Sequence, residues 1–283
     1  MRIGIVTDST CDLNPEIVQR YGIEVVPLFI QMGEERLMDG VNITKDEFYN
    51  RLPAYDPAPT TAAPGPEIFI KRFEGLVEKG AQAILTIHIS EALSATVNSA
   101  RSAAKEFTRI PVTVLDSGQL SLGLGFLVEK AAQMAHADNK MEEILETLKN
   151  LMPRTYVFAA LDTLEYLRRS GRMHVAVARF GEILRLKPLL HMNLGKPVAH
   201  RVRTTRRAME RLFSWLDTYG PFQRLAILHA GVESRAEILR EQVRKYLPNA
   251  EISIHQITPV LGSHLGVGAL GFAVISQENK LMS

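Results

Sequence analysis

The chain alternates between two kinds of segment. The runs "RIGIVT" (2–7), "AILTIHI" (83–89) and "PVTVLD" (111–116) are short and apolar, and each precedes a stretch with helical spacing. The first reads as a buried strand and the other two as strands. Strands that alternate with helices close as a parallel sheet with helices on both sides. Local signals agree. Asn14-Pro15 reads as a helix N-cap followed by Pro at the first helical position, and Gly22 ends that helix. "EVVPLFIQM" is strand-like, "TKDE" (44–47) is a capping box, and "PEIFIKRFEGLVEKG" spaces Phe69, Phe73, Leu76 and Val77 along one helical face.

After the helix "MEEILETLKNL" and Pro153 the pattern changes. "TYVFAAL" leads into helices, and "KPLLHMNLGKPVAHRVR" reads as a hairpin around Asn193-Leu194-Gly195. The strands "RLAILHA" and "EISIHQITPV" follow, with the helix "SRAEILREQVRKYL" between them. The expected fold is an N-terminal parallel-sheet α/β domain, residues 1–153, followed by a C-terminal mixed α+β domain, residues 154–283.

Open parallel sheets bind ligands at the carboxyl ends of their strands. Hydroxyls gather at those ends here: Asp8-Ser9-Thr10, Ser90 to Ser94-Ala95-Thr96, and Asp116-Ser117, with Thr60 and Thr61 in the loop "PTTAAPGP". Singly, each is an ordinary cap or turn residue. Together, beside helix N-termini, they can also donate to an anion.

The motifs "VTDSTCDL", "PTTAAP", "ISEALSATVNSA", "VLDSGQLSLGLG", "LEYLRRSGR" and "LGSHLGVGALG" occur in this order between Val6 and Gly271. As a set they resemble the DegV family of bacterial fatty-acid-binding proteins. The resemblance implies two domains with a lipid between them. It implies one long-chain fatty acid, such as palmitate, and a partner, a separate fatty acid kinase, that makes the acyl phosphate for phospholipid synthesis. It assigns the carboxylate to Thr61 and Ser94 and brings His264 and Arg172 close to the head group; the strand-end hydroxyls of Ser9 and Ser117 are expected in its vicinity. The sequence departs from the family pattern at Ala62, Gly65, Ala95, Leu265 and Val267, and Cys11 stands where Ser is common.

Other functions find less support. The net charge of +2 does not point to nucleic acid, and one cysteine excludes a disulfide framework. The eight histidines include no HxH or HExxH spacing, so no metal is expected, and "GLG" at 123–125 is no nucleotide cradle. No cofactor is expected. The N-terminus lacks a signal-peptide pattern and no apolar run is long enough to span a membrane, so the expected compartment is the cytoplasm, without integral membrane contact. His88, inside a strand, reads as structural, and Cys11 has no local motif that assigns it a base. Arg168, Arg169, Arg201, Arg203, Arg206 and Arg207 form two basic clusters. These read as a solvated face or, at Arg203, Arg206 and Arg207, as a docking face. The expectation is a non-enzymatic lipid carrier; the alternative is an enzyme on a phosphate or acyl ester using Asp8, Ser94 and His264.

Overall fold

The computed structural model describes residues 2–172, 186–193 and 195–279, with the side chain of Asn193 left aside. Strands β1 (Ile3–Asp8), β2 (Glu24–Val26), β6 (Ala83–His88) and β7 (Val112–Asp116) form a parallel sheet in the order β2-β1-β6-β7. β1 and β6 are buried along their whole length, which is why their sequences run apolar without alternating. Phe69, Phe73 and Leu76 of the helix Pro66–Glu78 cover one face together with Ala100 and Ala103 of the helix Thr96–Glu106. Leu124, Leu127 and Val128 of the helix Ser121–His136 cover the other. The glycines at 123 and 125 serve that packing. A Cβ on Gly125 would stand 2.3 Å from the Cys11 carbonyl oxygen, and one on Gly123 would stand 2.5 Å from Val157 Cγ2.

The strand-like stretch after residue 23 is two strands in two sheets. It breaks at Pro27, which cannot donate to a ladder. β2 ends at Val26; β3 (Phe29–Met32) joins β4 (Glu35–Met38) and β5 (Thr60–Ala62) in an antiparallel sheet of order β4-β3-β5. β5 corrects the reading of "PTTAAPGP" as a loop. Thr61 pairs with Ile30, in a strand of three residues between prolines, too short to show a period of two.

The later strands form one mixed sheet. β8 (Thr155–Ala160), β9 (Lys187–Asn193), β10 (Lys196–Val202), β11 (Phe222–His229), β12 (Ser253–Gln256) and β13 (Leu270–Ser276) lie in the order β10-β9-β8-β13-β11-β12. β11 and β12 are parallel, joined by the helix Glu233–Val243; the other neighbours are antiparallel. The hairpin of β9 and β10 forms as read, although Leu194 lies outside the described residues. β13 was not read from the sequence. It is buried throughout, between β8 and β11, and glycines at 262, 266, 268 and 271 disguise its apolar run.

Both faces of this sheet are covered. Phe158, Phe272, Val274 and Ile227 pack against Leu212, Trp215 and Leu216 of the helix Thr205–Tyr219 and Leu239 of the helix Glu233–Val243. Val157, Ala226, Leu228, Ala273 and Ile275 face the other way, into a core shared with the parallel sheet. Phe48 and Tyr49 cross into the second half as well. They pack so closely on the helix Pro259–Leu265 that a Cβ on Gly262 would meet Tyr49 Oη at 2.6 Å. The hairpin turn docks on the first sheet's loops, where Ser90 Oγ donates to the Gly195 carbonyl at 2.6 Å.

Candidate functional site

Four of the residues singled out in the sequence line one cavity of ≈ 190 Å³: Thr61, Ser94, Arg172 and His264. Each arrives by a different route. Pairing of β5 with β3 holds Thr61. Ser94 closes a turn after β6, its N–H donating to the Ser90 carbonyl at 3.2 Å. The helix Thr96–Glu106 that follows has Ala95 at its N-cap, with no side-chain cap. Ser94 Oγ instead lies 2.8 Å from Thr96 Oγ1. His264 occupies the last turn of the helix Pro259–Leu265, which ends at Gly266 with φ +76°. Glycine is required there twice over, by that φ and because a Cβ would stand 2.1 Å from Tyr166 Cδ2. Arg172 follows Gly171, with φ +71°, and its N–H donates to the Leu167 carbonyl at 3.0 Å.

Thr61 Oγ1 and His264 Nε2 are 2.9 Å apart. His264 Nδ1 is buried and has no partner among the described residues. A buried N–H without an acceptor is rarer in proteins than a bare lone pair. The favoured tautomer therefore carries its proton on Nε2 and donates to Thr61, leaving the Thr61 hydroxyl proton free for a ligand. Burial, and secondarily the charge of Arg172, pushes the His264 imidazole down to about 4, so the ring is neutral at pH 7. Arg172 is then the cation at this end of the cavity.

The remaining wall is largely apolar. Leu28, Ile89 and Leu93 come from the first half, Val157, Leu228 and Leu261 from the second. Small residues, among them Ala62, Ala95, Ala269 and Gly271, also line it. Gly271 faces Ala159 across β13 and β8, and a Cβ on it would stand 2.2 Å from the Phe158 carbonyl oxygen. Ser121, His191 and His229 also line the cavity, and no sequence signal singled them out.

Ser9 and Ser117 do not line it. Ser9 Oγ donates to Asp39 Oδ2 at 2.7 Å and accepts from the Leu28 N–H at 3.2 Å. Ser117 Oγ donates to the His88 carbonyl at 2.7 Å and accepts from the Gln119 N–H at 3.0 Å. Both hydroxyls are spent on closing turns. Asp8 is likewise committed. Oδ1 accepts from Thr10, and Oδ2 accepts from the Ile89 N–H and lies against His88 Nδ1, each at 3.0 Å. It does not share the cavity with Ser94 and His264. Cys11 is 3% exposed, and burial pushes its thiol up to about 12, which removes the thiolate a nucleophile needs. Arg203 and Arg207 border a separate surface recess with Arg201, and Arg206 pairs with Glu210 at 3.1 Å. Among the described residues no group of three or more His, Cys, Asp or Glu is placed to hold a metal, and no helix is long and apolar enough to cross a membrane.

Comparison with known proteins is consistent across the whole chain. The family model for DegV (uncharacterised protein, DegV family) matches residues 2–277. A DegV domain-containing protein of Streptomyces coelicolor is 34% identical over 279 residues, covering 97% of this chain and 99% of its own. Among solved structures, a DegV-family protein of Thermus thermophilus described by its fatty acid binding superposes with a TM-score of 0.88 at 34% identity, covering 98% of this chain and 100% of its own. DegV of Bacillus subtilis, described as a fatty acid binding protein, does so with a TM-score of 0.89 at 29% identity and the same coverage. A stearic acid-binding protein of Eubacterium ventriosum gives a TM-score of 0.85 at 26% identity, covering 99% of this chain and 100% of its own.

Proposed function

This chain belongs to the DegV family, and from that premise we propose that it binds one long-chain fatty acid and presents it to a separate fatty acid kinase. The carboxylate sits at Thr61 and Ser94, and the tail lies in the apolar cavity. One observation carries the reading: a mostly apolar cavity is lined by two hydroxyls, a neutral imidazole and an arginine from four separate parts of the chain, with the imidazole against one of the hydroxyls. That is the chemistry of a long apolar molecule with an anionic end.

The energetics divide the labour. A sixteen-carbon acid has roughly 14 methylenes, and burial at ~0.8 kcal/mol each gives a gross ~11 kcal/mol. Lost freedom on binding offsets much of this. The tail supplies affinity. The hydroxyls supply orientation, each charge-assisted hydrogen bond contributing about 1.5–3 kcal/mol. The protein itself does no chemistry on the acid. The kinase transfers a phosphoryl group to the carboxylate, and His264 holds the Thr61 hydroxyl that donates to one carboxylate oxygen while the other is exposed.

Native mass spectrometry of the purified protein, with lipid extraction and analysis, tests the binding. One fatty acid per chain is expected. An empty protein that turns over a phosphate or acyl ester would overturn the proposal.

A further inference from the structure

Two further polar side chains line the cavity. His229, the last residue of β11, is 5% exposed, and Ser121, the first residue of the helix Ser121–His136, is 1% exposed. Both line the cavity. Their surroundings differ from those of the carboxylate end. The charge felt at His264 is that of Arg172, whereas those felt at His229 are Glu233, Lys45 and Asp12, with the His255 ring beside them.

The hydrogen bonds of the two side chains give them complementary roles. The Val232 N–H donates to His229 Nδ1 at 3.2 Å, which puts the ring proton on Nε2. No described residue accepts that proton, so Nε2–H is a donor beside an apolar space. Ser121 Oγ gives its own proton to Asp12 Oδ2 at 2.5 Å, and Lys45 Nζ holds the other carboxylate oxygen at 3.3 Å. With its proton committed, Ser121 Oγ is left as an acceptor. Ser121 is also one of the few described non-glycine residues with positive φ, +50°, a conformation that side-chain-bearing residues seldom adopt. The backbone holds this hydroxyl in place against its own preference.

A donor and an acceptor on the wall of a largely apolar cavity suit a group that both accepts and donates, such as an alcohol. Resting on the reading of the cavity as a fatty-acid site, we infer that the protein selects acyl chains carrying a hydroxyl group away from the carboxylate, the hydroxyl accepting from His229 Nε2–H and donating to Ser121 Oγ. A plain methylene chain gives His229 Nε2–H no acceptor and Ser121 Oγ no donor, which a chain with the oxygen at the right carbon supplies.

The test uses full-length, delipidated protein and competition between stearic acid and a series of hydroxystearic acids differing in hydroxyl position. At least one isomer is expected to bind about tenfold more tightly than stearic acid, as two additional hydrogen bonds warrant. His229→Phe and Ser121→Gly are each expected to bring that ratio close to one; glycine also relieves the positive φ. The ratio is read within each variant, so a general loss of stability does not mimic the result. Stearic acid binding as tightly as every isomer to the wild type overturns the inference and leaves fatty-acid binding intact. So does a preference that survives in both variants. Failure of all the acids to bind overturns both readings.

Discussion

Thr61 Oγ1 and His264 Nε2 are 2.9 Å apart although 203 positions separate them in the chain. One belongs to a short edge strand and the other to the last turn of a helix in the second half of the molecule. The pair exists only when the two halves are packed together. It ties the head-group site to the whole fold rather than to one domain.

The head group gives the first prediction. Thr61→Ala and Ser94→Ala are each expected to weaken fatty-acid binding about 10- to 100-fold, the value of one hydrogen bond to a carboxylate. The double variant is expected to lose most of its lipid while melting as a folded protein. Quantifying lipid that co-purifies with each variant, beside a thermal melt, checks this. Wild-type palmitate affinity in the double variant would remove both hydroxyls from the site.

Much of this was legible in the sequence, and the exceptions have physical causes. Three of the four parallel strands and their covering helices follow from continuous apolar runs and from caps such as Asn14, whose side chain accepts from the Glu16 N–H at 2.9 Å, whereas β2 was read as one strand with β3. β13 was missed because its apolar run begins amid glycines that read as a loop. The structure uses those glycines for contact, with Gly271 against the backbone of β8 and Gly266 against Tyr166. β5 was missed because three residues carry no period. At the site, clustered hydroxyls at strand ends were visible, but which of them reach the cavity was not. Ser9 and Ser117 have the same local pattern as Ser94 and differ only in the acceptors that the folded chain offers them. His229 and Ser121 sit in the sequence as the end of one apolar run and the start of another, so nothing local marks them.

Cys11 is expected to be inert in the folded protein. It is the chain's one cysteine, 3% exposed, and burial pushes its thiol up to about 12. A thiol reagent at pH 8 is expected to label the native protein far more slowly than the denatured one. Cys11→Ser is expected to leave lipid binding unchanged. Fast native labelling would show that the segment after β1 opens.

Asp39 gives a pH dependence. It is 2% exposed, and burial pushes its carboxyl up to about 7, with the charge of Asp12 adding to the effect and the hydroxyl of Ser9 opposing it. In the unfolded chain an aspartate titrates near 3.9. Between those values the folded state holds a proton that the unfolded state has lost. Stability from this group is therefore present in full below about pH 4 and falls as pH rises through 7, by at most ~1.4 kcal/mol per unit. Asp39→Asn keeps an acceptor for Ser9 and carries no charge to bury. It is expected to raise the melting temperature at pH 8 and to change it little at pH 4.5, measured by thermal denaturation at the two values. An equal shift at both would mean that the carboxyl is not the group titrating.

Gly271 tests the close approach that shapes the cavity wall. Gly271→Ala places a methyl group 2.2 Å from the Phe158 carbonyl oxygen, so β8 or β13 must move. A loss of about 1–3 kcal/mol is expected, the range for overpacking a core. Chemical denaturation measures it. A neutral result would mean that the two strands slide apart at no cost.

The presentation step gives the last prediction. On the proposed reading a kinase reaches the carboxylate while the tail stays covered, and it docks on a surface of the protein. Arg203 and Arg207, with Arg201 beside them, border a recess outside the lipid cavity, so charge reversal there leaves the cavity wall untouched. Charges of that kind steer an acidic partner over a screening length of only about 8 Å at physiological ionic strength. Arg203→Glu combined with Arg207→Glu is expected to cut fatty-acid phosphorylation by the cognate kinase at low salt, to matter less at high salt, and to leave lipid binding unchanged. His264→Ala is expected to act differently. It removes the neutral imidazole that orients the Thr61 hydroxyl, so on the proposed reading phosphorylation falls further than binding at both salt concentrations. A reconstituted kinase assay run beside a lipid-binding assay separates the two. Full phosphorylation of the charge-reversal variant would move the docking face elsewhere, and equal losses of binding and phosphorylation in His264→Ala would reduce that residue to part of the cavity wall.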